Sequence, residues 1–195
     1  MPPGATITLM TASTPEACIA QTRAWVDLAV IGLNLCPFAK AVQSKGALDY
    51  VVSPATTPEA LLADLHTELL RLRDAPIDVL ESTLLVHPGV LTDFTDYNDF
   101  LDLADMALEE LDLDGVLQVA SFHPDYRFDG TRADDVTNAS NQSPWPTLHL
   151  LREESVDRAV AAFPDAEAIF EANIETLRAL GPGGWAALRA RWKAL

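Results

Sequence analysis

Two apolar segments decide the fold: TLLVHP at residues 83–88 and VLQVASFHP at residues 116–124. Each is a short run typical of a buried strand, and each is closed by a His-Pro pair. Weaker patterns of the same kind predict strands at residues 47–52 and 147–151. Helical patterns connect the first three strands, whereas a long polar loop, residues 124–146, leads to the fourth. This order predicts an α/β (α+β) fold, with a small mixed, partly parallel sheet of about four strands covered by helices and a helical C-terminal segment.

Two of the helix starts are marked by a threonine followed by proline. Thr14-Pro15 and Thr57-Pro58 place a capping hydroxyl before a residue suited to the first helical position. Helices are predicted at residues 15–34, 58–72, 93–113 and 155–163, from the cap Pro164-Asp165 to Leu180, and from Trp185 onward. The break at Gly181–Gly184 is expected to let the last helix fold back, so that residues 1–195 form a single domain.

The net charge of the chain limits the classes of molecule that the protein is expected to bind. The chain has 195 residues, with 29 acidic side chains against 13 Lys and Arg and a net charge of −16. Such a surface repels phosphate groups, so we expect neither nucleic acid nor an anionic membrane as partner. Part of the charge repeats at three-residue spacing on the third helix, as a solvated face: Asp93, Asp96, Asp99 and Asp102.

The cellular setting is predicted from what the sequence lacks. No secretory signal is recognisable, and no apolar run approaches the ~18 residues of a membrane span. The two cysteines, Cys18 and Cys36, are expected to be reduced and far apart, with Cys18 in the core. We therefore expect a cytoplasmic protein, and the oligomeric state stays open.

Three residues are the candidate catalytic groups: Cys36, His87 and His123. The two histidines follow strands, and ligands in sheets with crossover helices gather at the carboxyl ends of strands. Pro37 suits the first position of a helix, which would leave Cys36 at the cap, where unpaired amides favour a thiolate. Lys40, one turn later, would add positive charge. The set predicts a small-molecule enzyme in which Cys36, as nucleophile or redox thiol, works with His123 as base.

Polar residues near the same strand ends are candidates for binding the substrate. The long loop offers Asp125, Arg127 and Asn141 directly after His123. Arg152 follows the last strand, where a guanidinium can clamp a carboxylate or phosphate in two places. A surface ion pair of Arg152 with Glu153 or Asp157 is the alternative.

Two other functions use the same sequence features. Cys36, His87 and His123 would also serve as three ligands of a zinc or iron ion in a hydrolase or oxygenase, although no metal motif is present. A non-catalytic interaction protein would instead use the acidic helix or the face of Trp185, Leu188 and Trp192. His149 alternates with the apolar residues of the last strand, so it is either a further ligand or part of the wetter face of the sheet.

Four ordered stretches carry a family resemblance over residues 20–182: LAVIGLNLCPFAKAV, TLLVHPGVLTDFTDYNDFLD, GVLQVASFHPDYRFDG and SPWPTLHLLREESVDRAVAAFPD. Together they resemble the bacterial family known as domain of unknown function 1415. The resemblance implies a compact, cytosolic, single-domain protein. It places Cys36, His87, His123 and Arg152 inside family motifs and assigns no activity, cofactor or catalytic residue.

Overall fold

A mixed four-stranded sheet forms the centre of the structure, a computed structural model that describes residues 14–162 and 166–195. Its strands are β1 (Leu48–Val52), β2 (Ser82–Val86), β3 (Leu117–Phe122) and β4 (Thr147–Arg152). Their order is β1-β2-β4-β3, with β1 parallel to β2 and β4 antiparallel to both of its neighbours. The predicted small, partly parallel sheet is confirmed. The strands β2 and β3 run in the same direction, but β4 lies between them.

Helices cover the sheet: α1 (Pro15–Trp25), α2 (Ala39–Lys45), α3 (Pro58–Asp74), α4 (Phe94–Glu110), α5 (Glu153–Ala162) and α6 (Ala166–Lys193). The side chains of Thr14 and Thr57 accept hydrogen bonds from the amides of Ala17 and Ala60, which confirms both predicted helix starts. The first helix departs from the prediction, because α1 continues as a π-helix over Val26–Ile31. The predicted cap Pro164-Asp165 lies outside the described residues.

Alternate residues of each strand face opposite sides of the sheet, so that two apolar clusters form. One side packs on α3 and α4 through Leu85, Leu117 and Leu148. The other side contributes Tyr50, Leu84 and Phe122 to a cluster with residues of α1 and α6.

The last helix belongs to the second cluster. Gly181 interrupts α6 with φ 68°, a left-handed value that glycine adopts without strain. Beyond this kink the chain returns to the core, where Trp185 and Trp192 are 6% and 1% exposed. The predicted interaction face of Trp185, Leu188 and Trp192 is therefore part of the core. That residues 1–195 form one domain stays a prediction, since residues 1–13 lie outside the described part.

Two sequence-based expectations about the surface can be compared with the structure. The acidic side of α4 is exposed at Asp96, Asp99 and Asp102, as predicted for a solvated face. Over the described ranges, no helix has both the length and the apolar character needed to cross a membrane.

Candidate functional site

The sheet divides the three predicted catalytic residues. His87 and His123 lie two residues beyond Leu85 and Ser121, and their rings point to the side of α4, where both contact Tyr97. Cys36 lines a cavity on the other side, together with Leu84, Phe122 and His149. The expected meeting of one thiol with two imidazoles in one crevice is thus corrected, because the two-residue period of the strands sends the histidines to the opposite face.

The two histidines nevertheless meet at one edge of the sheet, as their positions predict. β2 and β3 end on either side of the start of β4: the His87 amide donates to the Pro146 carbonyl (3.0 Å) and the His123 amide to the Asn141 carbonyl (3.1 Å). Tyr97 of α4 lies between the rings, with centroid distances of 5.8 Å to His87 and 5.1 Å to His123. In the sequence, Tyr97 is one of the apolar residues that repeat at helical spacing along α4.

Hydrogen bonds define the protonation of both rings. In His123, Nε2–H donates to the Leu91 carbonyl (3.2 Å) and Nδ1 accepts from the Asp125 amide (3.0 Å). In His87, Nδ1–H donates to the Val90 carbonyl (3.0 Å). Burial lowers the pKa of His123 and lowers the pKa of His87 to about 4. Both rings are neutral at pH 7 and hold the turns that follow β2 and β3; their catalytic role stays a prediction.

The burial of His87 predicts a pH dependence of stability. The ring is 0% exposed, and its folded pKa of about 4 lies below the ordinary value of 6.5. The unfolded chain therefore binds a proton that the folded chain rejects, and stability falls as the pH falls from ~6.5 to ~4. We expect His87 alone to lower the free energy of unfolding by about 2 kcal/mol between pH 7 and pH 5, measured by urea denaturation.

The matched control is His87→Asn, whose side-chain amide can still donate to the Val90 carbonyl but does not titrate. Its free energy of unfolding should fall by about 2 kcal/mol less over the same pH interval. Equal pH dependence in the two proteins would show that His87 is not kept neutral by burial. The acidic side chains and His149 titrate in both proteins and cancel in the comparison.

The backbone around Cys36 differs from the predicted helix start. The helix α2 begins at Ala39 with Phe38 at its N-cap, so Cys36 precedes the cap by two residues. The chain first turns at Asn34 through a positive φ of 55°. The predicted activation of the thiol by a helix N-terminus is therefore corrected. Cys18 is buried in the core as predicted, and both cysteines are free.

The cavity beside Cys36 has a volume of about 130 Å³ and an apolar wall. The helix α1 and its π-helical continuation form one side, the segment around α2 another, and the sheet the floor. The lining side chains belong to Trp25, Val26, Val30, Cys36, Phe38, Ala39, Val42, Leu48, Ser82, Leu84, Phe122, His149 and Leu151.

Two residues of this lining each have a buried side-chain nitrogen without a hydrogen-bond partner among the described residues: Nε1 of Trp25 and Nε2 of His149. His149 lies on β4 opposite Leu84 and Ala120, on the face that the alternation of its strand predicted. Burial lowers its pKa to about 4, so the ring is neutral at pH 7. Trp25 does not stand out in the sequence, because the apolar period of its helix indicates only packing for an indole.

The predicted substrate-binding residues have different surroundings, and the binding role of Lys40, Asp125, Arg127 and Asn141 stays a prediction. Lys40, Asp125 and Arg127 have exposed side chains. Asn141 fastens the long loop to the sheet, since its amide donates to the Ser121 carbonyl at 3.1 Å.

Arg152 is not an anion clamp. It is buried, and its Nε and Nη2 groups donate to the carbonyls of Leu72 (2.6 Å), Ala75 (2.5 Å) and Leu80 (3.2 Å). Leu72 needs this donor because the residue four positions later, Pro76, has no N–H. The predicted anion clamp is corrected, because the guanidinium caps the C-terminal end of α3.

The described part of the chain has no set of side chains that could bind the zinc or iron ion of the alternative prediction. There, no three His, Cys, Asp or Glu side chains are placed so that they could hold one ion. Cys36 lies across the sheet from the other two proposed ligands, and His123 already uses both ring nitrogens.

Comparison with known proteins gives one match. A family model described as "Protein of unknown function (DUF1415)" matches residues 17–187. No curated protein and no solved structure matches the chain.

Proposed function

Because the chain belongs to the DUF1415 family, whose function is unknown, we propose a function from the site itself: a small-molecule enzyme with Cys36 as nucleophile and His149 as general base. The observation that carries the proposal is the shared cavity. The thiol-bearing residue and an imidazole with an unpartnered Nε2 line the same apolar space. Imidazole paired with thiol is a recurrent arrangement for nucleophilic catalysis.

The lowered pKa of His149 decides how this pair works. An imidazole whose pKa is about 4 is a weak base and is neutral at pH 7. His149 is therefore free to accept the thiol proton while the new bond to sulfur forms.

A cytoplasmic location and a small-molecule partner belong to this proposal. Nucleophilic cysteine must stay reduced, and the cytosol keeps thiols in that state. Both cysteines of the chain are free, which agrees with such a setting.

Acylation of Cys36 by vinyl acetate tests the proposed roles. The reagent is small, neutral and irreversible, since its leaving group rearranges to acetaldehyde. In a Cys18→Ala background, peptide mass mapping should locate the acetyl group on Cys36. We expect His149→Gln to slow this acylation by roughly 10²-fold, the usual contribution of a general base.

The matched control is His66→Gln, on a half-buried histidine of α3 that lies outside the cavity lining. It should leave the acylation rate unchanged. An unchanged rate in His149→Gln, or no acetyl group on Cys36, would overturn the proposal. Circular dichroism of each variant, with His149→Asn as a second replacement, separates a lost base from a lost fold.

A further inference from the structure

A second cavity lies between the long loop and the last part of α6. Its volume is about 610 Å³, within the range of about 300–1,000 Å³ that is common for small-molecule sites. The two segments are joined there, because the indole Nε1–H of Trp185 donates to the side-chain carbonyl of Gln142 at 3.1 Å and both residues line the cavity. None of its lining residues lines the cavity beside Cys36, so it is a separate candidate site.

The helix contributes two positive charges to this cavity. Arg189 and Lys193 both belong to the lining, and their four-residue spacing places them on one side of α6, about 6 Å apart along the axis. Ala186 and Ala190 line the cavity beside them, and their short side chains leave room around the two longer ones. Neither cation forms an ion pair within 4 Å with another residue that the structure describes. Both charges are therefore available to a ligand.

The loop contributes three carboxylates to the same lining, and two of them are already engaged. Asp134 forms an ion pair with Arg132 at 2.9 Å. Asp135 accepts from the amide and the hydroxyl of Thr137 at 2.9 and 2.7 Å. The carboxylate of Asp125 has no ion-pair partner within residues 14–162 and 166–195. Asp125 is thus the carboxylate that a ligand can engage.

Opposite charges therefore line one cavity without meeting. An anion there would be attracted by Arg189 and Lys193 but repelled by the three carboxylates and by the net charge of −16. A cation would be repelled by the same two basic side chains. A molecule that carries both charges avoids either repulsion, provided that its charges are far enough apart to reach the loop and the helix. The lining consequently selects a zwitterion.

We infer that this cavity binds a small zwitterion with well-separated charges, of the kind found in a short peptide with free termini. Its carboxylate contacts Arg189 and Lys193, and its ammonium group contacts Asp125. An extended tripeptide spans about 10 Å, and its small apolar side chains pack on Ala186 and Ala190. The inference does not depend on the proposed function, because the two cavities share no residue.

A nuclear magnetic resonance titration of the ¹⁵N-labelled protein with trialanine tests the binding. We expect the backbone amide signals of Ala186 and Ala190 to shift in a saturable manner. Two matched peptides keep one charge each: N-acetyl-trialanine has only the carboxylate, and trialanine amide has only the ammonium group. Each should bind roughly tenfold more weakly than trialanine, because one charge-assisted contact is lost.

Substitutions assign the two ends of the peptide. Arg189→Gln should weaken trialanine and N-acetyl-trialanine roughly tenfold and leave trialanine amide unchanged, because only the carboxylate loses a partner. Asp125→Asn should weaken trialanine and trialanine amide and leave N-acetyl-trialanine unchanged. Lys193→Gln repeats the test of Arg189 at an exposed position, where the fold does not depend on the side chain. The matched control is Arg191→Gln, which removes an exposed charge of α6 outside the lining and should change none of the affinities.

Three results would overturn the inference: no saturable shift at Ala186 and Ala190, equal affinities for the three peptides, or equal losses of trialanine affinity in Arg189→Gln and Arg191→Gln. N-acetyl-trialanine that binds as tightly as trialanine would identify an anion site instead and would overturn it as well. The amide spectrum of each variant shows whether it is folded. None of these outcomes affects the proposed function, whose test measures acylation of Cys36.

Discussion

Replacing Arg152 by methionine should lower the free energy of unfolding by about 4 kcal/mol. The guanidinium donates to the carbonyls of Leu72, Ala75 and Leu80. Arg152 is buried, so water does not take over these hydrogen bonds when the guanidinium is removed. Methionine keeps the apolar stem but has no donor, so the carbonyls lose their partner, at a cost of about 1–3 kcal/mol for each buried group left unsatisfied. Urea denaturation monitored by circular dichroism measures the change.

Arg158→Met is the matched control for this prediction. Arg158 has a side chain that is 58% exposed, and its ion pair with Glu81 spans 3.3 Å. Exposed pairs of this kind contribute about 0–1 kcal/mol, so the control should be close to wild type. Arg152→Lys should fall between the two, because one ammonium group cannot span three carbonyls. If Arg152→Met were as stable as Arg158→Met, the assignment of Arg152 to the end of α3 would be wrong.

Tyr97→Phe should lower the free energy of unfolding by about 3 kcal/mol. The Tyr97 hydroxyl donates to the Thr147 carbonyl (2.9 Å) and accepts from the Phe122 amide (3.0 Å), so it joins the end of β3 to the start of β4. Tyr97 is fully buried, and its pKa is raised far above the usual range by that burial. Phenylalanine preserves the ring but leaves the part-buried Phe122 amide and the buried Thr147 carbonyl without this partner. The same urea titration measures the loss.

Tyr126→Phe provides the comparison, because Tyr126 packs against Phe94 at 5.2 Å while no described residue forms a hydrogen bond with its hydroxyl. Its stability should change by less than about 0.5 kcal/mol. A similarly small effect of Tyr97→Phe would contradict the role given to the Tyr97 hydroxyl. A larger effect than predicted would show that the histidine rings on either side move with it.

The fold was largely predictable because its signals are local. The strands β1 to β4 begin and end within a residue or so of the predicted runs, and Thr14 and Thr57 cap their helices as expected. Each of these features depends on neighbours within one turn or one strand. The order of the strands depends instead on distant pairing, and no local pattern indicated that β4 would lie between β2 and β3.

The candidate site was only half predictable, for the same reason. Cys36 could be chosen from its residue type, and the alternation along β4 gave the correct face for His149. His87 and His123 were expected beside Cys36 because both directly follow a strand, but the parity of each strand sends them to the other side of the sheet. Arg152 resembled a clamp in the sequence, since its three carbonyl partners lie about 70 to 80 residues earlier.

The central place of β4 also affects how the chain folds while it is being synthesised. A strand that joins β2 to β3 is synthesised after both of them, so both neighbours carry unpaired backbone edges until it is made. Parallel pairing of β1 with β2 can form early, while the ladder of β3 has no native partner before β4. Long-range pairings of this kind slow folding and expose strand edges to other chains. During translation, the nascent protein therefore depends most on protection from aggregation in the interval between β3 and β4.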